Sequence, residues 1–347
     1  MGAANCTACV RRSDDFHLEM NIDMKPRPLL LENGAIYIGE WSFDKKYGKG
    51  IQVWKDGSTY EGFWINDKAC GNGRLIHAKG SIYFGEWKDH KFHGQGTLIN
   101  KDGSCYEGEW VDDKQEGKGV ETWNDGSKYE GQYKNNMKEG KGVYIWADKS
   151  QYDGNFLNNN LEGQGVYIWP DGRKYQGEWL DNQMNGKGIY TWIDGKRYIG
   201  QYKNGIKSGQ GIFEWPDGTK YIGEWKDGKQ HGKGVFYTFN GQKKKGEWKN
   251  GQKERWIIFE DINDNFQEQI EQKFYNILVQ YQQKYVKCQQ LQQQKINNML
   301  QQTQIKQDQE NDKENNQITK LKQYQNLQNN LTYDGKQIQQ KNLIDKK

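Results

Sequence analysis

The residues best placed to do chemistry lie near the two ends of the chain. The amino terminus reads Met-Gly-Ala-Ala-Asn-Cys-Thr-Ala-Cys. Removal of Met1 would leave Gly2 open to amide acylation, although Cys6 stands where the usual signal has Ser or Thr. Cys6 and Cys9 are placed for thioester acylation, and Arg11-Arg12 for contact with anionic lipid. One acyl chain holds a protein to a bilayer only marginally, so lasting attachment needs a second. Cys6-Thr-Ala-Cys9 also has the spacing of a zinc or redox pair. Zinc would need a second ligand pair and redox work a βαβ context, and the sequence supplies neither. Toward the other end, Lys243, Lys244, Lys245, Lys249, Lys253 and Arg255 form the densest basic cluster. They are the candidate contact for an anionic membrane surface or an acidic partner. Lysine also recurs between paired glycines at Lys49, Lys118, Lys141, Lys187 and Lys233, which reads more simply as a solvated face. No nucleophile, base and orienting group occur together outside a repeating register. Hence no catalytic residue, cofactor or metal site is expected.

The elements that must carry these groups are unusual. Only 33% of the 347 residues are hydrophobic, too few for two ordinary globular cores. Yet the chain has 14 Trp, 21 Tyr, 12 Phe and 42 Gly, whereas disordered chains are poor in aromatics. Large rings with many glycines point to thin, regular β-structure in which rings pack over bare backbone. The net charge of +4 mixes both signs and gives no nucleic-acid footprint. No apolar run reaches the roughly 18 residues of a spanning helix. The five cysteines, Cys6, Cys9, Cys70, Cys105 and Cys288, are odd in number and irregular in spacing. That argues against a disulfide framework and for a reducing, intracellular setting.

The rings repeat with a period of 23 residues: Tyr37, Tyr60, Tyr83, Tyr106, Tyr129, Tyr152, Tyr175, Tyr198 and Tyr221, then Lys244. A glycine follows each by two positions, from Gly39 on, and a ring by four: Trp41, Trp64, Trp87, Trp110, Tyr133, Phe156, Trp179, Tyr202, Trp225 and Trp248. Each full unit then carries Gly-x-Gly, as in Gly48 and Gly50, and most close with Asp-Gly, as in Asp56-Gly57. In a strand, Tyr37, Gly39 and Trp41 share one face. The Gly-x-Gly opens a return strand whose glycines can accept a ring at close range. Asp-Gly supplies the positive φ of a tight turn. A lone hairpin is unstable, so each unit must stack on its neighbours. Gly-x-Gly never opens a helix or meets G-x-x-G, so it is not a phosphate loop. His90 and His93 fall near hairpin tips and read as solvated.

Tyr-x-Gly-x-Trp followed by Gly-x-Gly and Asp-Gly resembles the MORN (membrane occupation and recognition nexus) repeat family, over residues 30 to 256. The resemblance implies an all-β, single-layered ladder of ten antiparallel hairpins forming a twisted groove. Departures are local: Asp148-Lys149 lacks the turn glycine, His77, Asn100 and Thr238 replace a return-strand Trp, and Lys244 replaces a Tyr. Residues 1–28 are expected to be a flexible acylation segment and 29–256 the array. Leu29, Leu30 and Leu31 should form a lone return strand capping the first hairpin, and the tenth unit should supply only its first strand. Residues 257–290 read as an amphipathic helix, because Ile262, Phe266, Ile270, Phe274, Ile277, Leu278, Tyr281 and Tyr285 recur at three and four. It should pack against the array. Residues 291–347 are rich in Gln, Asn and Lys and read as a disordered or weakly helical tail.

Relatives in this family act at membrane junctions, in cytoskeletal assemblies and in ciliary radial spokes. The implied function is a non-enzymatic scaffold that binds proteins along a ring-lined groove and can pair as a homodimer. An acylated amino terminus would hold it to the cytoplasmic face of a membrane. The alternatives are a structural subunit of a ciliary or other cytoskeletal assembly, or a regulatory subunit for an enzyme supplied in trans. About 90 residues follow the array, too few to add the kinase, methyltransferase or exchange-factor domain seen in some relatives.

Overall fold

Each 23-residue unit folds into two strands because two turns of different type punctuate it. The computed structural model describes residues 22–257, the side chains of 22–27 excepted, together with the single positions Gln272, Tyr275, Asn276, Val279 and Gln283. A first strand, β1 (Ile22–Leu30), pairs antiparallel with β2 (Ile36–Ser42), which pairs with β3 (Lys45–Val53). The same two-strand unit recurs through Lys243–Lys249 and Gln252–Trp256, each strand bonded to the next in the chain. The result is one open antiparallel sheet of 21 strands: ten hairpins plus β1. No helix occurs within residues 22–257.

The tip of each hairpin is a two-residue turn with both residues at positive φ: Asn66 (49°) and Asp67 (68°), Asn135 (51°) and Asn136 (66°). This type matches the right-handed twist of the flanking strands and selects Asn, Asp and Gly. The turn between hairpins is wider. Trp54 N–H donates to Ser58 O at 2.9 Å and Gly57 N–H to Trp54 O at 2.9 Å, while Asp56 accepts the Ser58 N–H. Gly57 sits there at φ 90°. Lys149 fills that position in the fifth repeat at φ 72° and keeps the same bond to Trp146 O.

The amino-terminal cap forms as the register of Asn33-Gly34 requires. Leu31 N–H bonds Ala35 O, and Asn33 accepts the Ala35 N–H as Asp56 does for Ser58. Two expectations need correction. The capping strand begins at Ile22, inside the segment read as flexible. The tenth repeat also supplies both strands, because Gln252–Trp256 pairs back on Lys243–Lys249. Its shortness hid it: five residues without a Gly-x-Gly leave little pattern. The expected helix over 257–290, apart from Ile257 and the five single positions, and the tail over 291–347 lie outside the described residues.

The core is one row of rings on one side of the sheet. Tyr37 is fully buried and Trp64 is 1% exposed, and Trp87, Trp110, Trp179 and Trp225 are also buried. Trp41 is half-buried at the array's start. Each Tyr ring meets two others edge-on. Tyr37 lies 5.0 Å from Trp41 of its own repeat and 5.5 Å from Trp64 of the next. Every repeat therefore shares its rings with its neighbour, which is how a thin array gains a continuous core.

The paired glycines serve two purposes. A Cβ at Gly50 would lie 2.5 Å from Tyr37 Cζ, and one at Gly119 would lie 2.5 Å from Tyr106 Cε2. The ring is the repeat's own Tyr, whose hydroxyl donates to a backbone oxygen three residues on, Tyr37 to Glu40 O at 3.0 Å. Burial pushes this phenol far above its ordinary pKa, so it stays a neutral donor. The first glycine does not meet a ring. Gly48 marks a bulge between the pairings Gly39–Gly50 and Trp41–Lys46, sits at φ 66°, and lies under the Glu40 carboxylate.

Candidate binding surface

Neighbouring repeats are locked together by contacts the strand pattern does not announce. Trp64 Nε1 donates to Gly50 O of the preceding repeat at 3.2 Å, and Trp110 Nε1 to Gly96 O at 3.0 Å. Trp41 has no preceding hairpin, and its Nε1 is buried without a hydrogen-bond partner. At the tips, Asp67 accepts the Lys46 N–H at 2.8 Å, and Asp113, Asn136, Asn159 and Asn182 repeat this bond. His90 takes the same role, with Nδ1 accepting the Ala69 N–H at 3.2 Å and the ring edge-on to Trp64. Its ring therefore has a structural partner rather than solvent alone. Burial lowers its pKa, and the nearby Lys46 and Lys68 add to this. His93 lies within the strand Lys91–Ile99 instead of at the tip, half-buried and 3.7 Å from Asp112.

Beside the buried row runs a second row of rings, mostly half-buried and open to solvent. Trp123, Tyr144, Trp146, Tyr167, Trp169, Tyr190, Trp192, Phe213, Trp215 and Phe236 follow one another with centroids 4.4–6.0 Å apart. The row is interrupted in the first three repeats, where Trp54 stands alone and Gln52, Leu75, His77, Leu98 and Asn100 hold the other positions. There a cavity of about 640 Å³ opens, bordered by Trp54, Tyr60, Trp64, Leu75, His77 and His90.

Three lysines of one register position turn their ammonium groups onto rings: Lys46 onto Tyr37 and Trp64 of the buried row, and Lys138 and Lys207 onto rings of both rows. Lys138 Nζ lies 4.9 Å from the Trp123 centroid and 5.1 Å from Tyr129, with Glu121 at 3.3 Å. Lys207 Nζ lies 4.5 Å from Trp225 and 5.2 Å from Phe213. Burial depresses the pKa of Lys46 and Lys207, and the ring faces offset part of the lost hydration. Sequence reasoning passed over these lysines. Their spacing in multiples of the repeat was the available signal.

The basic cluster is not one surface. Strand alternation turns Lys245 to the face opposite the rings, where it is 3% exposed. Lys243, Lys244, Lys249 and Lys253 are exposed, and Arg255 pairs with Glu247 at 2.8 Å. Lys253 stands over the exposed Trp256 at 4.4 Å. Gly2, Cys6 and Cys9 lie outside the described residues. Among the described residues no cluster of His, Cys, Asp or Glu is placed to hold a metal, and Cys70 and Cys105 are not in a disulfide. No helix among them is long and apolar enough to cross a membrane. The surface is thus a wall of ring edges with embedded ammonium groups, suited to noncovalent contact with apolar and acidic side chains.

Such an open, single-layered array of ring-stapled hairpins defines a class of repeat proteins. The MORN repeat family model matches ten successive segments, from residues 37–59 through 245–254, and the chain belongs to that family. Among curated proteins no sequence match is found. A similar solved structure is the wild-type TCP10 domain of Danio rerio CPAP in complex with a peptide of Danio rerio STIL. It is 12% identical, with a TM-score of 0.38 over 67% of this chain and 98% of that one. Another is the SAS-4 (dCPAP) TCP domain of Drosophila melanogaster in complex with a proline-rich motif of Ana2. It is 12% identical, with a TM-score of 0.30 over 51% of this chain and 90% of that one. A likeness this distant says nothing of this chain's own partners.

Proposed function

We propose that this chain is a non-enzymatic scaffold whose ring face binds protein partners, while an acylated amino terminus ties it to a membrane. The observation that carries the reading is the continuous, solvent-open ring row from Trp123 to Phe236. Aromatic rings are costly to leave half-wet and are the residues on which protein interfaces concentrate their binding energy. The embedded Lys207 and the exposed Lys244 and Lys253 favour a partner with acidic side chains. The membrane part rests on Gly2, Cys6 and Cys9. The cations can add only a salt-sensitive increment of about 1 kcal/mol each, which does not hold a protein by itself.

Two sets of variants separate these parts. Trp169→Ala with Trp192→Ala should strip partners from the tagged protein in proximity labelling while the array stays folded. Partners retained at wild-type levels would remove the ring face from the reading. Gly2→Ala should release the protein into the soluble fraction, and Cys6→Ser with Cys9→Ser should weaken retention without abolishing transient binding. A Gly2→Ala protein that stays in place would move attachment to a protein assembly, with detergent-insoluble cytoskeleton the first fraction to examine.

A further inference from the structure

The face opposite the rings changes character along the array. In the first hairpin, Ile38 is 38% exposed and Ile51 is 37% exposed, as suits a sheet with no second layer. Phe84, one of the positions that repeat with Ile38, is 46% exposed. The same two positions in the later repeats behave otherwise. Ile189 is 7% exposed, Ile199 3%, Ile212 6%, Ile222 1%, Val235 0% and Lys245 3%. These six residues sit on six consecutive strands, from Gln183–Thr191 to Lys243–Lys249. A single layer cannot remove its own open face from water to this degree, so something lies across the back of these strands.

We propose that the cover is this chain's own segment from Ile262 to Leu278, docked as an amphipathic helix across the strands. Length supports it. Six strands span five spacings of about 4.8 Å, or roughly 24 Å. A helix from Ile262 to Leu278 is about 25 Å long. Periodicity supports it as well. Gln272, Tyr275 and Asn276 are helical and exposed, Tyr275 at 60%. At the helical period Phe266, Ile270, Phe274 and Ile277 share the opposite side. Charge agrees. The stretch from Glu260 to Leu278 carries Glu260, Asp261, Asp264, Glu268 and Glu271 against Lys273 alone. The covered strip holds Lys245, which needs a counter-charge when buried, and Lys187 and Lys233 share its face. The path is short, because Ile257 N–H bonds Lys245 O at 2.9 Å, so the chain leaves the sheet beside the last of the six strands. The two faces thus divide their roles. The back is closed by the chain itself over the last repeats and stays open only toward the amino-terminal half, while the ring face remains free for partners.

Cysteine accessibility in the full-length chain tests this. Ile222→Cys and Ile38→Cys occupy the same repeat position, and peptide-resolved alkylation reports each apart from the native thiols. Ile222→Cys should react roughly a hundredfold more slowly, since its reaction must wait for a local opening. Adding Phe266→Asp, Ile270→Asp and Phe274→Asp should bring it up to the rate of Ile38→Cys, with the array's tryptophan fluorescence unchanged. Equal rates at the two cysteines in the parent chain would show that no cover exists. Protection that survives the three aspartates would show that another segment provides it. Protection that disappears on dilution would assign it to a second copy. Any of these three results overturns the proposal.

Discussion

A single side chain in this array is rarely tuned to one neighbour, because each repeat position meets two. Gly119 lies against Tyr106, so Gly119→Val would drive its branched carbon into a ring with no room to retreat. That variant should fail to hold the eighth and ninth strands of the sheet together, and amide exchange across Cys105–Thr122 reads the outcome. Trp110→Ala removes a buried ring and a hydrogen bond to the preceding repeat. It should cost about 3–5 kcal/mol, and a melting curve matching the parent would refute the shared core. His90 supplies a pH-dependent case. Its folded pKa lies below the ordinary 6.5, so the unfolded chain binds more protons as pH falls through that value. Its contribution is complete above the unfolded pKa and is lost on acidification, until the pH drops below the folded value. Protonation also removes the Nδ1 acceptor used by the Ala69 N–H. His90→Asn keeps an acceptor of the kind used at Asn136 and does not titrate. The difference in melting temperature between parent and variant should therefore widen in the variant's favour as pH falls below about 6.5, and a constant difference would refute the linkage.

Among the elements, the turns decide how well each hairpin is held. Lys149 bears a positive φ where most other repeats place glycine. An L side chain there costs about 1 kcal/mol, so Lys149→Gly should stabilise the protein by about that amount, measured by denaturant midpoint at constant m-value. The tips follow a different logic. Their second residue reaches back 21 positions to bond the neighbouring hairpin, as Asp67 does to Lys46. From the eighth repeat on, that residue is Gly205, Gly228 or Gly251, leaving only the backbone bond such as Gly205 N–H to Met184 O. The stacking of the last hairpins therefore depends more on their rings and on the covered back face.

For the molecule as a whole, the repeat makes length adjustable. Deleting Tyr152 through Lys174 removes one 23-residue period, and the return strand of the fifth repeat then meets the first strand of the seventh with every ring in place. The variant should fold, with the array shorter by two strand spacings of about 4.8 Å each, seen as a smaller maximum dimension in solution scattering. Deleting about half a period should instead leave unpaired strands and an unstable chain, because the shift exchanges the faces or the turn types.

The sequence by itself determined the strand count of nine repeats, the hairpin register, the row of buried rings and the amino-terminal cap. Those features are set within one 23-residue window, where alternation, turn chemistry and a ring over its own glycines leave one solution. Identical windows repeated without a break carried the answer along the chain. Only the tertiary structure decided the rest. The first glycine of each pair belongs to a bulge under a carboxylate, although in sequence it looks the same as its partner under the tyrosine. Lys46, Lys138 and Lys207 lie among rings, and the basic cluster is divided between two faces. The short last strand had too few patterned residues to announce itself. Ile38 and Ile222 occupy the same repeat position and read alike, yet one is open and the other closed. Their difference is one of burial on the same face of the sheet, which no local period encodes.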